Sequence, residues 1–459
     1  MPTANTLPDS KPTVLIVGAG IAGLTLGILL EKAGVPYEIY DRMAEVKPLA
    51  NVAPLFQQIG IYDDLVRLGK LCDSIDQYSE DRKFDYSMDI KATTQMGGFP
   101  GYIVSRSAFH DLLFRQIPSN KIFLGKRVVS IKQSLENGVQ LQFSDKTIAE
   151  GDILVGADGA YSAVRQSLYD SLKSEGQLPA SDDGALPFTC VCLAGQTKPM
   201  DPEKYPELAD PKCHFTSVIG DNKPYSVEDF HGQSESSKSH DSFRNSEWGP
   251  EAAIAMCKEV QDFPVPGGKN NDMTIGDLID STPLISKVML EEKVFDTWYS
   301  ERTVLVGDAC HKIHPASGAG AMNAIQDAVA LANWISVLDS TATNEITKAY
   351  KEYKAERYPV AKASFARGRM LSRVTENGLR ATIARYLTKN MPTCLGNILT
   401  KRAIESRPQV SFLPLVEDKG TVPPKYQPSL QRTLEIRKAR ETTEARQATA
   451  PIVIEYKGC

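Results

Sequence analysis

The 459-residue sequence lacks several features that mark secreted, metal-binding and nucleic-acid-binding proteins. Its eight cysteines are scattered and form no C-x-x-C pair, which argues against a zinc site and favours a reduced compartment. The net charge of −5 argues against a general nucleic-acid partner, because phosphate contacts require clustered Lys and Arg. The N-terminal residues show no signal-peptide pattern, so we expect a cytoplasmic location, with peripheral membrane association left open.

A membrane-spanning run is also missing. The uncharged stretch Val14–Leu30 extends over 17 residues, slightly short of the roughly 20 residues that a membrane helix requires. Its glycines also fall at the G-x-G-x-x-G spacing, so we do not expect a membrane span here. With 42% hydrophobic and 24% charged residues, the chain is expected to form a soluble globular protein of two or three domain-sized units.

The most informative stretch contains a predicted strand, a glycine-rich turn, a helix and a second strand. Gly18, Gly20 and Gly23 have the G-x-G-x-x-G spacing, and Asp41 follows about 20 residues later. The glycines permit a tight turn, close approach of a pyrophosphate and close helix–strand packing, while the helix N-terminus presents unpaired N–H groups. Asp41 can accept hydrogen bonds from a ribose 2′-OH, and its charge would repel a 2′-phosphate. The pattern predicts a bound dinucleotide with an unphosphorylated ribose.

A second loop places a carboxylate after a buried strand and then opens a helix with glycines. Asp308 follows the strand, and Gly318 and Gly320 precede a helix predicted over 321–338. Asp308 can accept hydrogen bonds from a polyol, and the positive end of the helix suits a reduced ring that carries negative charge. The alternative interpretation is a tight turn followed by a capped helix.

Together these features resemble the single-component FAD-dependent hydroxylases and epoxidases, the class A flavin monooxygenases typified by para-hydroxybenzoate hydroxylase. Three motifs carry the resemblance: GAGIAG at 18–23, GADGAYSAVR at 156–165 and GDACHKIHP at 307–315. The sequence looks most like the fungal members, many of which serve secondary metabolism. The resemblance implies an α/β fold in which a Rossmann-like, glutathione-reductase-like FAD-binding domain carries an inserted α+β substrate domain and a helical C-terminal extension.

The resemblance also implies contacts along FAD. Asp41 would hold the adenosine ribose, Asp308 the ribityl chain, and the amides near Gly320 and Ala321 would face the isoalloxazine. Arg106 would reach the flavin or its pyrophosphate. The expected cofactor-binding residues are Gly18, Gly20, Gly23, Asp41, Arg42, Arg106, Asp158, Asp308, Gly318, Gly320 and Ala321.

Asp158 and Gly159 occupy the position that the family associates with the pyrophosphates of FAD and NADPH. No second G-x-G-x-x-G is present, which suits transient binding of NADPH. The implied reaction uses NADPH and O2 to hydroxylate or epoxidise a lipophilic or aromatic small molecule. The protein would bind and orient the reactants and shield them from water.

The expected organisation divides the chain into four segments. They are the FAD-binding domain in two parts, 12–185 and 296–370, the substrate domain, 186–295, and the C-terminal helical extension with a polar tail, 371–459. Serine caps predict helices after Ser105 and Ser162. We also predict a helix at Ser281–Lys287, and a helix over 344–370 that breaks before Pro359.

Two stretches that the family usually carries look shortened in this sequence. One would lie between Leu49 and Ala50, and the other after Tyr225, where the chain enters the serine-rich segment His231–Ser242. Two alternatives therefore stay open: a flavin oxidase or dehydrogenase that inserts no oxygen, and a catalytically impaired protein with an FAD-binding fold.

Three further features give weaker predictions. Tyr225 is a candidate catalytic residue that orients substrate, although a tyrosine after Lys-Pro is more often packed in a strand. Cys310, His311 and His314 lie close in sequence, but no acidic partner pattern supports a metal, and none is predicted. The stretch Arg369–Tyr386 can form an amphipathic helix; a surface that faces a partner or the core is favoured over membrane contact. The oligomeric state is not predicted.

Overall fold

The computed structural model of the chain describes most of the sequence. The described residues are 11–42, 53–134, 138–184, 186–210, 212–220, 226–231, 250–315, 318–372 and 379–448. Within them the strands are β1 (Val14–Val17), β2 (Tyr37–Tyr40), β3 (Gly69–Ser79), β4 (Phe84–Asp89), β5 (Tyr102–Val104), β6 (Ile122–Phe123), β7 (Val128–Ser134), β8 (Gly138–Phe143), β9 (Ile148–Gly151), β10 (Ile153–Gly156), β11 (Phe188–Gly195), β12 (Cys213–Ile219), β13 (Ser226–His231), β14 (Ile285–Glu291), β15 (Lys293–Val294), β16 (Tyr299–Ser300), β17 (Thr303–Leu305) and β18 (His311–Lys312).

The helices are distributed along the whole described chain. They are α1 (Ile21–Ala33), α2 (Ala53–Ile59), α3 (Tyr62–Leu68), α4 (Lys91–Gly97), α5 (Arg106–Phe114), α6 (Ala163–Ser174), α7 (Pro250–Val260), α8 (Ile275–Asp280), α9 (Gly320–Ile335), α10 (Thr343–Ser372), α11 (Leu379–Lys389), α12 (Thr393–Ile404) and α13 (Pro428–Ala448). The predicted caps of α5 and α6 are confirmed, because the Ser105 and Ser162 hydroxyls accept hydrogen bonds from the N–H groups of Ala108 and Arg165.

The central element is a six-stranded sheet in the order β16-β17-β10-β1-β2-β6. All neighbours pair in parallel except β16, which is antiparallel to β17. Strand β1 has fully buried residues at three of its four positions, as expected for a parallel strand covered on both faces. Helix α1 packs against α9, which in turn contacts α10 and α13. The Rossmann-like α/β fold and the helical C-terminal extension are confirmed.

A second sheet joins two distant parts of the chain in the order β13-β12-β3-β4. Strands β3 and β4 come from the segment assigned to the FAD-binding domain, whereas β12 and β13 come from the segment assigned to the substrate domain. The division of the chain into four segments therefore stays a prediction. Strand β13 also supplies paired structure directly after Tyr225, where the sequence suggested that it was missing.

Two local predictions are wrong. Ser281–Lys287 is not a helix, because β14 begins at Ile285 and pairs antiparallel with β11. This pairing satisfies the backbone across two strands and outweighs local helix propensity. Helix α10 continues through Pro359 without a break. Buried Tyr353 and Arg357 before the proline and buried Ala361 after it hold both halves of the helix against the core.

The described residues include no helix that is both long enough and apolar enough to span a membrane. The apolar run at Val14–Leu30 instead forms β1 and most of α1. The buried side chains of both elements belong to the main hydrophobic core.

A buried carboxylate on α9 links four parts of the fold. Asp327 has no exposed side-chain surface; its Oδ2 accepts a hydrogen bond from the Gly307 N–H at 3.0 Å and lies 2.5 Å from His311 Nε2. Its Oδ1 accepts a hydrogen bond from Arg357 Nε on α10 at 2.8 Å. Burial raises the pKa of Asp327, but the combined effect of His311 and Arg357 leaves that pKa below its ordinary value.

The Arg357 guanidinium extends this network toward the first turn of α9. Its Nη1 donates to Gln326 Oε1 at 2.8 Å, and its Nη2 donates to Asn323 Oδ1 at 3.0 Å. The Asn323 amide then donates to the carbonyl of Ala319 at 2.8 Å. Side chains of α9 and α10 thus fix the backbone where α9 begins.

The close packing of α1 on β1 gives a first prediction. A Cβ added at Gly23 would lie 1.9 Å from the Gly18 carbonyl oxygen, so Gly23→Ala must displace the helix. We expect a loss of about 3 kcal/mol in the free energy of unfolding, measured by urea titration. The matched control is Gly396→Ala on α12, where a Cβ meets nothing within 4 Å. An unchanged urea midpoint for Gly23→Ala would contradict the close contact between Gly23 and the Gly18 carbonyl.

The Asp327 network gives a second prediction. Asp327→Asn leaves the buried Arg357 charge without its carboxylate, so we expect a loss of about 3–5 kcal/mol near neutral pH. Because the folded pKa of Asp327 is lowered, its contribution is complete above the unfolded value of about 3.9 and is lost as pH falls through the folded value. The difference in unfolding free energy between wild type and variant should therefore shrink below about pH 4.

The control for this experiment is Asp339→Asn, since Asp339 forms an ion pair with Arg440 at an exposed position. It should change stability by less than about 1 kcal/mol. A difference between wild type and Asp327→Asn that stays constant down to the acid transition would contradict a lowered pKa for Asp327.

Candidate functional site

The three sequence motifs meet at one edge of the six-stranded sheet. They follow β1, β10 and β17, which are parallel neighbours, so their loops leave the sheet from the same side. This is the edge at which open α/β sheets bind ligands. A Cβ on Gly307 would lie 3.3 Å from Ala22 Cβ on α1 and 3.1 Å from Ala324 Cβ on α9. The first and third motifs are thus in direct contact.

The glycines of the first motif divide into two packed positions and one open position. Gly18 has φ +110°, and a Cβ there would lie 2.3 Å from the Ala157 carbonyl oxygen of the second motif. Gly23 is packed against Gly18, as described above. Gly20 precedes α1, and the nearest atom to its added Cβ is the Ala157 carbonyl oxygen at 3.9 Å. The open position lies next to helix N–H groups that have no acceptor within the helix.

Asp41 directly follows β2 and stabilises this loop. Its carboxylate is largely buried, and Oδ2 accepts a hydrogen bond from the Ala19 N–H at 2.6 Å. The carbonyl oxygen of the same residue, Ala19, lies 2.9 Å from Nε2 of His110 on α5. Arg42 follows Asp41 at an exposed position. His110 was not predicted, because no spacing in the sequence connects it with the glycine motif.

The second motif contains a carboxyl group with one unsatisfied oxygen. Asp158 Oδ2 accepts hydrogen bonds from the N–H groups of Ala163 and Val164 at the start of α6. Asp158 Oδ1 is buried and has no hydrogen-bond partner in the described structure. Burial raises the pKa of this carboxyl, and the surrounding donors offset only part of that effect. Gly159, with φ +81°, has open space beside it.

Arg165 connects the second motif with the third. Its Nη1 donates to the carbonyl of Ala309 at 2.9 Å, and its Nη2 donates to the carbonyl of Ala160 at 2.6 Å. The guanidinium lies 4.3 Å from the ring centroid of Phe295, so it is held by a cation–π contact as well. Arg165 is the last residue of the GADGAYSAVR motif, so the motif itself contains the residue with this positioning role, although no role was predicted for it.

The third motif places Asp308 three residues after the end of β17, in a single helical turn. Asp308 is partly exposed, and its Oδ2 accepts a hydrogen bond from Lys312 Nζ at 2.7 Å. Gly318, with φ +59°, and Gly320 have no neighbouring atom within 4 Å of an added Cβ. Gly320 and Ala321 begin α9, where the N–H groups have no acceptor within the helix. This segment therefore combines open space with N–H donors.

Two predicted site residues cannot be placed in full. Tyr225 lies outside the described residues. Arg106 is the first residue of α5, and its side chain is not described. Apart from Arg42, the other predicted cofactor-binding residues lie in the three loops or, for Asp41, contact one of them.

One cavity lies elsewhere in the fold. It has a volume of about 460 Å³ and is lined by residues of β7, α6 and β17, including Ile131, Leu168 and Thr303. Its lining residues do not include Gly318–Met322, the segment expected beside the flavin ring.

Cys310, His311 and Asp327 bring three potential ligand atoms within 4.8 Å of one another, all of them buried. Both Asp327 oxygens already bind other groups, and burial raises the pKa of the Cys310 thiol well above 9, which opposes the thiolate that a metal requires. The arrangement serves the α9 network, and the absence of a resident metal stays a prediction.

Comparison with known proteins agrees with this geometry. A family described as FAD binding domain matches residues 11–182 and 274–367. The FAD-dependent monooxygenase ptmM of Penicillium ochrochloron is 31% identical over 385 residues, 78% of this chain and 88% of its own. The FAD-dependent monooxygenase ausM of Aspergillus calidoustus is 28% identical over 438 residues, 89% of each chain.

Solved structures show the same fold. The Klebsiella pneumoniae protein HpxO, crystallised with FAD and uric acid, aligns with a TM-score of 0.60 at 18% identity, covering 86% of this chain and 93% of its own. The family match extends over more than half of the sequence and includes all three loops. This chain belongs to the FAD-dependent monooxygenases, the class A flavoproteins that act on small molecules with O2.

Proposed function

We propose that this protein uses NADPH and O2 to hydroxylate or epoxidise a lipophilic or aromatic small molecule. The observation that carries the proposal is the meeting of three glycine- and aspartate-containing loops at one sheet edge. In this proposal Asp41 binds the adenosine ribose and Asp308 binds the ribityl chain. The N–H groups of Gly320 and Ala321 face the isoalloxazine.

The described residues fit FAD. Gly20, Gly318 and Gly320 have open space where a side chain would otherwise project, so a flat or extended cofactor can approach the backbone. The buried Asp158 Oδ1 lacks a partner, as expected for an oxygen that meets a donor only when a ligand is present. Bound FAD would supply electron transfer and O2 chemistry, which protein side chains cannot provide.

The helix start at Gly320 has two roles in this proposal. Its N–H groups would stabilise negative charge on a bound flavin ring, because the fold fixes their positions. The Asp327 and Arg357 network holds this backbone through Asn323 and so limits its movement. Asp327 and Arg357 are positioning residues, since their contacts are with the protein.

The second sheet supports the proposed class of substrate. Val218 of β12 is fully buried in a small apolar cluster that covers one face of the sheet. Side chains along a strand alternate between its two faces, so Phe215 and Ser217 lie on the face opposite to that of Val218. On β3 they pair with Ile75 and Gln77. That face carries the apolar side chains of Ile75 and Phe215, while the buried Gln77 amide donates to the carbonyls of Tyr78 and Ser217, so a ligand there would meet a mainly apolar surface.

The open space beside Gly320 gives a third prediction. A methyl group at this position meets no protein atom within 4 Å, so Gly320→Ala should keep or slightly raise the free energy of unfolding. If the flavin lies against this backbone, the methyl group will obstruct it, and we expect FAD binding to weaken about tenfold. Quenching of flavin fluorescence during titration of the apoprotein measures this affinity.

Gly396→Ala is the matched control, because it also adds a methyl group to a helix in open space. It should leave the affinity for FAD unchanged. Equal FAD affinity in wild type, Gly320→Ala and Gly396→Ala would remove the flavin from the start of α9.

The fourth prediction tests the reaction. The full-length protein loaded with FAD is given NADPH and isotopically labelled O2 with a panel of phenols and lipophilic olefins. We expect one labelled oxygen atom in the product of at least one compound, detected by mass spectrometry. Asp308→Ala should lose turnover and FAD together, whereas Asp339→Ala, at an exposed ion pair, should retain both.

The two alternatives give different results in the same experiment. A flavin oxidase would oxidise NADPH to NADP+ and reduce an equal amount of O2 to hydrogen peroxide with every compound, and no compound would gain a labelled oxygen atom. A catalytically silent protein would bind FAD, but anaerobic NADPH would leave the visible absorbance of the oxidised flavin unchanged.

A further inference from the structure

The C-terminal extension carries an exposed apolar stripe on α11. Leu379, Ile383, Tyr386 and Leu387 follow the i, i+4, i+7, i+8 spacing that normally faces a protein core. In this structure they are exposed by 78%, 51%, 66% and 62%. This exposure excludes the core-facing alternative for the stripe and leaves the partner-facing and membrane-facing alternatives. A contiguous exposed apolar surface of this kind marks an interaction site.

The next helix repeats the arrangement. Leu395, Ile398 and Leu399 of α12 lie on one side of the helix and are exposed by 45%, 49% and 39%. The opposite sides of both helices are already attached to the body of the protein. Ala381 of α11 is buried, and Ile404 of α12 packs beside Gly97 of α4. The exposed stripes are therefore not the sides by which these helices pack on the rest of the protein.

The charge of this segment is opposite to that of the whole chain. Residues 379–404 contain no Asp or Glu and five basic residues, although the protein has a net charge of −5. The basic residues are Arg380, Arg385, Lys389, Lys401 and Arg402. Lys389 pairs with Asp85 of β4, which ties α11 to the second sheet. Lys401 and Arg402 are exposed at the end of α12.

We propose that α11 and α12 form a docking surface for the interfacial region of an anionic lipid bilayer. Exposed leucine, isoleucine and tyrosine side chains can enter the boundary between headgroups and acyl chains, while Lys and Arg bind the lipid phosphates. With 11 and 12 residues, the helices are too short to span the hydrocarbon core, so the contact lies in the plane of the membrane.

The same observations argue against a second copy of this chain as the occupant. Two copies that met through this surface would bring together two sets of four basic residues, in addition to Lys389, which already pairs with Asp85, and residues 379–404 contain no acidic residue to neutralise them. Like charges brought together in such an interface repel, and the repulsion would oppose the burial of the apolar stripes. An anionic surface removes this conflict because it attracts the charges and accepts the apolar side chains.

The inference goes beyond the proposed function and does not depend on FAD, NADPH or the identity of the substrate. It also places the second sheet near the lipid, because the ion pair between Lys389 and Asp85 joins α11 to β4. A lipophilic compound dissolved in the bilayer would then be concentrated near that sheet.

A flotation assay with the full-length protein tests this fifth prediction. The vesicles contain phosphatidylcholine alone or phosphatidylcholine with about one third phosphatidylserine. We expect wild-type protein to float with the anionic vesicles and to float at least about tenfold less with the neutral ones. Tyr386→Ser with Leu387→Ser, and separately Lys401→Glu with Arg402→Glu, should each reduce flotation with the anionic vesicles by about tenfold or more.

Matched controls change equally exposed residues elsewhere. Val129→Ser with Ile148→Ser removes two side chains that are each 57% exposed on β7 and β9, and Lys32→Glu with Lys269→Glu reverses two exposed charges. Both double variants should float like wild type. The visible absorbance of bound FAD is measured for every variant, so that loss of the flavin is distinguished from loss of vesicle binding.

Three results would overturn the proposal. The wild-type protein fails to float with either vesicle, the α11 and α12 variants float as well as the controls, or light scattering shows a dimer that only Tyr386→Ser with Leu387→Ser dissociates. The last result would assign the surface to a second copy of the chain.

Discussion

The geometry of the sheet edge at which the three loops meet depends on one buried carboxylate. An ionised side chain without solvent contact is stable only when opposite charges and hydrogen-bond donors surround it. Asp327 meets this requirement through Gly307, His311 and Arg357. These partners belong to the turn after β17, to β18 and to α10, so the condition that stabilises the charge also fixes where the turn lies relative to α9. Asp308 and the first turn of α9 are consequently held on one rigid frame.

Close backbone packing supplies the rest of that frame. Gly18 contacts the carbonyl of Ala157, and Gly307 lies between α1 and α9. Arg165 then joins the second and third loops through two carbonyl groups. Three loops that are far apart in sequence therefore pack into one continuous surface. Glycines that are open to solvent, such as Gly320, lie beside this packed surface and leave room for a ligand.

Features that depend on neighbouring residues were predictable from the sequence. The strand–glycine–helix–strand unit, the capped helices α5 and α6 and the positions of Asp41, Asp158 and Asp308 at strand ends all follow from short patterns. Their roles in binding FAD stay predictions. The errors and omissions concern contacts between distant segments. Strand β14 forms because β11 lies beside it, and Arg357 finds Asp327 only when α10 packs on α9. Local propensity contains no information about either contact.

The order of β17, β10 and β1 in the sheet has a consequence for synthesis of the protein. These three strands are neighbours in space, yet they begin at Thr303, Ile153 and Val14. During synthesis the glycine motif leaves the ribosome early. The turn at Asp308 and the start of α9 emerge only after about two thirds of the chain has been synthesised. The nascent N-terminal half cannot form the complete surface, and its long-range strand pairing delays folding. The complete surface therefore forms late, and until then the unpaired strands of the sheet are exposed to aggregation.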